Sequence, residues 1–282
     1  MSIVINTNVS SILVQRSLQQ STGSIGQSLQ KLSTGYRINK AADDAAGLTI
    51  SESLKSQARG AQVAANNAQT GVNLLQTAEG DLSIIQDNLQ RIRDLAVQAA
   101  NGTNGTAERA AIQSEVQQRI DEIDRIASAS SFNSIKLLDG TSSSLSLQIG
   151  TKSTPSLNSI SITSGTINPL GNANASSLGI GSISSAFASA SAAASFISSV
   201  DTAISSVSEK RSTIGSLQNR LESAITSLNV QFENMSASES RIRDVDVAKE
   251  AAALTKNQIL QQASATLLAQ ANQAPAVALS LI

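Results

Sequence analysis

The sequence predicts a mainly α protein, with long helices packed antiparallel as a bundle or coiled coil. A small β-hairpin region interrupts them, and amphipathic helices stand at both termini. Three observations carry the helical reading. Apolar residues recur at alternating steps of four and three along most of the chain, the spacing of a heptad seam. Aromatics are scarce among the 282 residues, with four Phe, one Tyr and no Trp, so Ala, Leu, Ile and Val must do the packing. Such side chains suit helix-on-helix seams better than a thick globular core. Between Gly140 and Ser189, thirty of fifty residues are Ser, Thr, Gly or Asn and Lys152 is the only charge, which marks a non-helical middle.

At the start, Ile5, Val9, Ile12, Ile25, Leu29 and Leu32 recur at helical intervals. AADDAAG follows, and its paired carboxylates, Asp43 and Asp44, read as a cap or solvated turn rather than an acid/base pair, since nothing around them forms a cleft. The strongest pattern comes next. Leu54, Ala58, Ala61, Ala65, Ala68, Val72 and Leu75 form one seam. It slips phase and continues as Ala78, Leu82, Ile85, Leu89, Ile92, Ala96 and Ala99. NGTNGT (101–106) supplies the stop, with Gly102 suited to a C-cap and Thr106 to an N-cap. A second helix carries Ile112, Val116, Ile120 and Ile123 on one face, with Glu115 four residues before Arg119 as a favourable pair. The short connection favours antiparallel packing of the two.

In the middle, SLSLQIG (144–150) and LNSISITSG (157–165) alternate with period two and predict a hairpin turning at Thr151–Ser156. A loop through NPLGNANASSLGIGS is expected after it. Helical spacing returns from about Ala186 and runs through Ile197, Val200, Ile204, Val207, Ile214, Leu217, Leu221, Ala224, Leu228, Phe232 and Met235. Leu254, Leu260, Leu267 and Ala271 mark a last amphipathic helix. Each terminal helix is about 30 residues long and lacks a large anchor, so burial in one chain does little against conformational entropy. The expectation is a terminal coiled coil from 1–45 and 240–282, disordered in the monomer and helical against other copies. A helical domain over 46–239 would carry the hairpin and Ser/Thr-rich loop at about 137–185.

Composition narrows function. A net charge of −1 gives no basis for a nucleic-acid or anionic-membrane partner. With no Cys and no His, disulfides, thiolate or imidazole metal sites and His-activated nucleophiles are excluded. The glycines lack phosphate-loop spacing. No enzyme, metal or cofactor site is expected. The N-terminus has no basic stretch and its apolar run is broken by Asn6, Asn8 and Ser10, so it is not read as a signal peptide.

One stripe stands apart. Ile84, Asn88, Arg91, Leu95 and Gln98 step by 4,3,4,3 on a face about 110° round the helix from the seam. Two readings stay open for it: ordinary apolar scatter on a surface, or an interface to a neighbouring copy with Arg91 paired across it.

LSTGYRINKAADDAAGLTISESLKSQ (32–57) and RIRDVDVAKEAAALTKNQILQQASATLLAQANQ (241–273) closely resemble the two terminal signatures of bacterial flagellin. QRIRDLAVQAANG (90–102) is similar to a third flagellin segment. The resemblance covers roughly 1–140 and 185–282, and the short middle indicates a minimal form without large outer domains. It implies an inner domain in which the N- and C-terminal segments pair, a helical filament of identical subunits used for motility, and export through the flagellar type III apparatus. It also implies an export chaperone, cap and hook-junction proteins as partners. Arg91, Leu95 and Glu115 match positions read by the flagellin-sensing Toll-like receptor. Val277, Leu279 and Leu281 match those read by cytosolic NAIP-family receptors, although the ending APAVALSLI departs from the commoner pattern.

Overall fold

The computed structural model describes residues 7–141, 145–152, 154, 158–162 and 168–279, with side chains through 273. Helices α1 (Val9–Thr34), α2 (Ala45–Ala99) and α3 (Thr106–Ala129) precede strands β1 (Ser131–Phe132), β2 (Ile135–Lys136), β3 (Ser146–Gln148) and β4 (Ser159–Ser161). Helices α4 (Ala190–Arg243) and α5 (Val247–Leu279) follow. The chain forms two compact units, residues 1–57 with 233–282, and residues 58–232.

The 58–232 unit holds the large core. Along α2 the predicted seam from Ala58 to Ala99 is buried at every position, and α4 buries Ala193, Phe196, Val200, Ala203, Val207, Lys210, Ile214, Leu217 and Leu221 in unbroken heptad steps. Polar bonds beside the seam set an antiparallel register. Gln218 donates to Glu79 (3.0 Å) and Arg211 to Gln86 (2.6 Å), so seven residues forward on α2 match seven back on α4. Helix α3 adds Ile112, Val116, Ile120, Ile123 and Ile126 to the same core.

Local chemistry explains the connections, with two corrections. Gly102 is not left-handed. The end of α2 is closed instead by Asn104, whose side chain donates to the Gln98 carbonyl at 2.5 Å. Thr106 is the first residue of α3 and not its cap, a place taken by Gly105 without a side-chain bond. Between β1 and β2, Asn133 (φ 47°) and Ser134 (φ 67°) make a two-residue turn with both φ positive, the type whose twist matches a hairpin. The sequence reading missed this small hairpin, because SFNSIK is too short to show alternation.

The predicted hairpin is present, trimmed to β3 and β4, with Leu147 opposite Ile160 and Gln148 opposite Ser159. Residues 153, 155 and 156 of its turn lie outside the described residues. It lies against α2, where Asn67 donates to the Gln148 carbonyl at 3.2 Å. A Cβ on Gly71 would stand 2.1 Å from Leu147 Cδ1, so any larger residue there would push the Leu147 side chain aside.

The segment after the hairpin is more than a surface loop. Leu170, Ala173, Ala175, Leu178, Ile180, Ile183 and Phe187 are buried in the main core, and Phe187 meets Phe196 edge-on at 5.5 Å. Asparagines fold it: Asn168, Asn172 and Asn174 each accept from a backbone N–H two or three residues on, and Asp124 accepts from Ala175 N at 2.7 Å. Polarity hid this burial from the sequence pattern, because the segment's backbone groups are satisfied by its own side chains.

The terminal unit is built differently. Asp44 caps α2 by accepting from Gly47 N (2.8 Å), and Asp43 accepts from the backbone N–H groups of Lys40 (2.9 Å) and Asn39 (3.0 Å), so both carboxylates serve the turn as expected. Helices α1 and α5 run antiparallel with backbones close together. Asn8 donates to the Ala271 carbonyl (2.8 Å), the Ser17 and Ser264 hydroxyls meet at 3.4 Å, Gln261 donates to Thr22 (3.1 Å), and Lys31 faces Glu250 at 3.9 Å. The residues buried in α1 are Ser21 and Ser28, and in α5 Ser264.

Candidate assembly surfaces

The stripe on α2 divides in two. Arg91 reaches α3 and donates through Nε (3.1 Å) and a terminal nitrogen (2.8 Å) to one carboxylate oxygen of Glu115. Both side chains remain accessible, 50% and 39% exposed. Ile84 is 50% exposed, and Gln98 is exposed while its carbonyl serves the helix end. Leu95, by contrast, is 2% exposed and Asn88 7%. Asn88 donates to the Ile84 carbonyl (3.0 Å) and accepts from Arg119 (3.3 Å).

This corrects the stripe as a continuous outward face. Two helices, α3 and α4, join α2 in one core, so the buried arc of α2 is wider than a single seam and takes in Leu95 and Asn88. The expected Glu115–Arg119 pair is replaced by bonds from each residue to α2, which tie the helices together instead of decorating one. Arg93 points the other way, to Asp201 on α4 at 2.6 Å, and that bond raises its pKa further. Neighbouring arginines thus brace opposite helices, and no basic patch forms.

The second surface is the outside of the terminal pair. Half-buried Val14, Leu18, Ile25 and Leu32 of α1, with Leu254 and Leu268 of α5, face inward among the serines. Outward stand Val9 (60% exposed), Ile12 (57%), Leu13 (61%) and Leu29 (51%) on α1. On α5 the exposed set is Val247 (62%), Ile259 (61%), Leu260 (44%) and Leu267 (52%). The sequence pattern grouped Val9, Ile12, Ile25, Leu29 and Leu32 together, and Leu254 with Leu260 and Leu267, but the structure splits each set: Ile25, Leu32 and Leu254 turn inward beside the serines and the others stand outside. Serine at heptad spacing was the available signal, masked by the serine content of the whole chain. Of the C-terminal candidates, Val277 and Leu279 lie in the last turns of α5 with side chains outside the described residues, and Leu281 lies outside them altogether.

Among the described residues there is no group of His, Cys, Asp and Glu able to hold a metal ion, and no helix long and apolar enough to cross a membrane. Comparison with known proteins decides the family. Residues 5–143 match the profile of the bacterial flagellin N-terminal helical region, and residues 197–282 that of the C-terminal helical region. The flagellin of Halalkalibacterium halodurans is 41% identical across 99% of this chain and 100% of its own length.

The chain belongs to the bacterial flagellin family.

Bacillus subtilis flagellin agrees, at 41% identity over 99% of each chain. A solved structure from Vibrio parahaemolyticus, described as a flagellar hook-associated protein, covers 72% of this chain and all of its own. Its TM-score of 0.56 at 16% identity speaks to the fold alone. Full-length matches of similar size make this a minimal flagellin, a structural subunit of the flagellar filament and not an enzyme. Its place is the extracellular flagellum.

Proposed function

We propose that the chain polymerises through its two terminal helices, which complete their fold only among neighbouring copies. The apolar exterior of the terminal pair carries this reading. Eight large apolar side chains on α1 and α5 are 44–62% exposed, while the seam between the helices is lined by serines. A pair whose fully buried positions are serines, and whose inward apolar side chains are only half-buried, gains little from folding alone and much from being surrounded. Non-closing contacts between identical subunits extend such packing into an open helical filament. On this reading 1–45 and 240–282 form the terminal coiled-coil domain and 46–239 the helical domain, and the chain is exported unfolded.

The α2–α3 surface of Arg91, Glu115, Ile84 and Gln98 is the lateral contact. In a free subunit the same surface is what the flagellin-sensing Toll-like receptor reads. Leu95 and Asn88 act there by fixing the helix on which Arg91 stands. The C-terminal segment with Val277, Leu279 and Leu281 is the part offered to NAIP-family receptors, and export chaperone, cap and hook-junction proteins are the flagellar partners. Circular dichroism of the free subunit and of filaments at equal concentration tests the central step. More helix in the filament is expected, and equal helicity would remove folding on assembly.

A further inference from the structure

Between α1 and α5 the chain crosses itself. Gly35–Arg37 and Arg243–Val245 lie side by side as a short antiparallel ladder: Arg37 N donates to the Arg243 carbonyl (2.6 Å), Val245 N to the Gly35 carbonyl (2.9 Å), and Tyr36 opposes Asp244. Gly35 makes the turn at φ 75°, a left-handed conformation natural to glycine. The Arg37 guanidinium donates to the Ile242 carbonyl. Across the ladder, the Arg243 guanidinium stacks over the Tyr36 ring at 4.5 Å, holds Glu52 at 2.6 Å and faces Glu239 at 3.9 Å. Its side chain is only 13% exposed.

The terminal helices need such a fixture. In α1 the inward positions repeat every seven residues as Leu18, Ile25 and Leu32, and between them as Val14, Ser21 and Ser28. Helix α5 offers Leu254, Gln261 and Leu268 in one row and Asn257, Ser264 and Ala271 in the other. A slide of seven residues still sets inward positions against inward positions, none of them large and fully buried, so the seam alone discriminates weakly between registers. The bonds across it are mostly between neutral, partly exposed groups. Every cross-pair, from Asn8–Ala271 to the ladder itself, nonetheless belongs to one register.

We propose that Arg243, stacked on Tyr36 and tied to Glu52, is a clasp that sets the register of the terminal helix pair. The stacked, ion-paired guanidinium can be made in one alignment only, because it fixes the ends of α1 and α5 where they leave the ladder. A heptad slip would carry the ring away from the cation.

The chain has no cysteine, so disulfide trapping reads the register directly. Ser17→Cys is combined with Ser264→Cys for the native register, and with Asn257→Cys or Ala271→Cys for the two slipped ones. Full-length chains are oxidised both free and in seeded filaments, and intrachain bonds are resolved by non-reducing electrophoresis. With the clasp intact, the native pair is expected to form about tenfold faster than either slipped pair, the discrimination of a partly desolvated cation–π contact with its ion pair. In Arg243→Gln/Tyr36→Leu the preference collapses and slipped bonds appear, while Tyr36→Phe retains it. Native-only trapping in the double variant would overturn the clasp and assign register to the seam or the backbone ladder. Failure of every pair with the clasp intact would instead overturn the helix pairing on which the assembly reading rests. Tyr36 is the sole Tyr and there is no Trp, so the chain's own fluorescence must become more accessible to quencher in Arg243→Gln. Unchanged quenching would show that the stacked contact is not made.

Discussion

Replacing Ile12 by Ala isolates what the exterior of the terminal pair does. Ile12 is 57% exposed in the subunit, so little of its side chain is buried by its own chain. The substitution removes three carbons, worth about 2.4 kcal/mol when fully buried at about 0.8 kcal/mol each. Scaled by the exposed fraction, at most about 1.4 kcal/mol of subunit-addition energy is lost, close to a tenfold rise in critical concentration. The free subunit should not notice, because exposed substitutions stay within about 0.5 kcal/mol and Ala is the better helix former. Ile259→Ala, at 61% exposed, carries a similar loss, and the pair together approaches a hundredfold by the same scaling. Sedimentation of seeded polymer across a concentration series measures this. An unchanged critical concentration in the double variant would refute the claim that these side chains are covered on assembly.

Other expectations test separate parts. Leu95→Ala should lower the stability of the 58–232 unit by about 2–4 kcal/mol in denaturant melts, as for a buried leucine, and a loss near zero would return Leu95 to the surface. Arg91→Ala should cost the subunit less than about 1 kcal/mol, since its pair with Glu115 is half exposed, yet weaken polymerisation and receptor signalling together. Loss of only one would separate the two surfaces. Removing about 30 residues from either end should abolish filaments while 58–232 keeps its cooperative melt, and normal filaments from such chains would sink the terminal reading.

Lys210 gives a pH signature. It is 8% exposed, donates to the carbonyls of Asn168 (3.2 Å) and Gly171 (3.1 Å), and burial lowers its pKa from the ordinary 10.5. The unfolded chain therefore binds the extra proton between the folded pKa and 10.5, and stability attributable to this group rises with pH across that window. Lys210→Met should flatten the rise, while leaving the Asn168 and Gly171 carbonyls without this donor. A slope that survives in the variant would point to another group.

What the sequence could show tracks what each element is stabilised by. The α2 seam was legible from Ala58 through Ala99 because periodicity and burial coincide there, and most of the α4 seam was too, although Ala203 and not the expected Ile204 takes the buried position. Residues 168–187 were not legible, because asparagine side chains satisfy their backbone and allow a polar-looking segment to enter the core. Lys210 occupies a heptad core position that its residue type disguises. On the α2 stripe, Arg91 was placed correctly on the outside. Leu95 was not, since one-helix periodicity cannot tell how many helices will pack against a face. The crossing at Tyr36 and Arg243 joins residues some two hundred positions apart, and no local pattern announces it.

The central claim is that this chain builds a filament from copies of itself. Purified full-length subunit added to short filament seeds, followed by negative-stain electron microscopy, tests it most directly. Long filaments growing from the seeds without any second protein are predicted. Seeds that stay short, or lengthen only when another flagellar protein is supplied, would contradict it and favour a junction role.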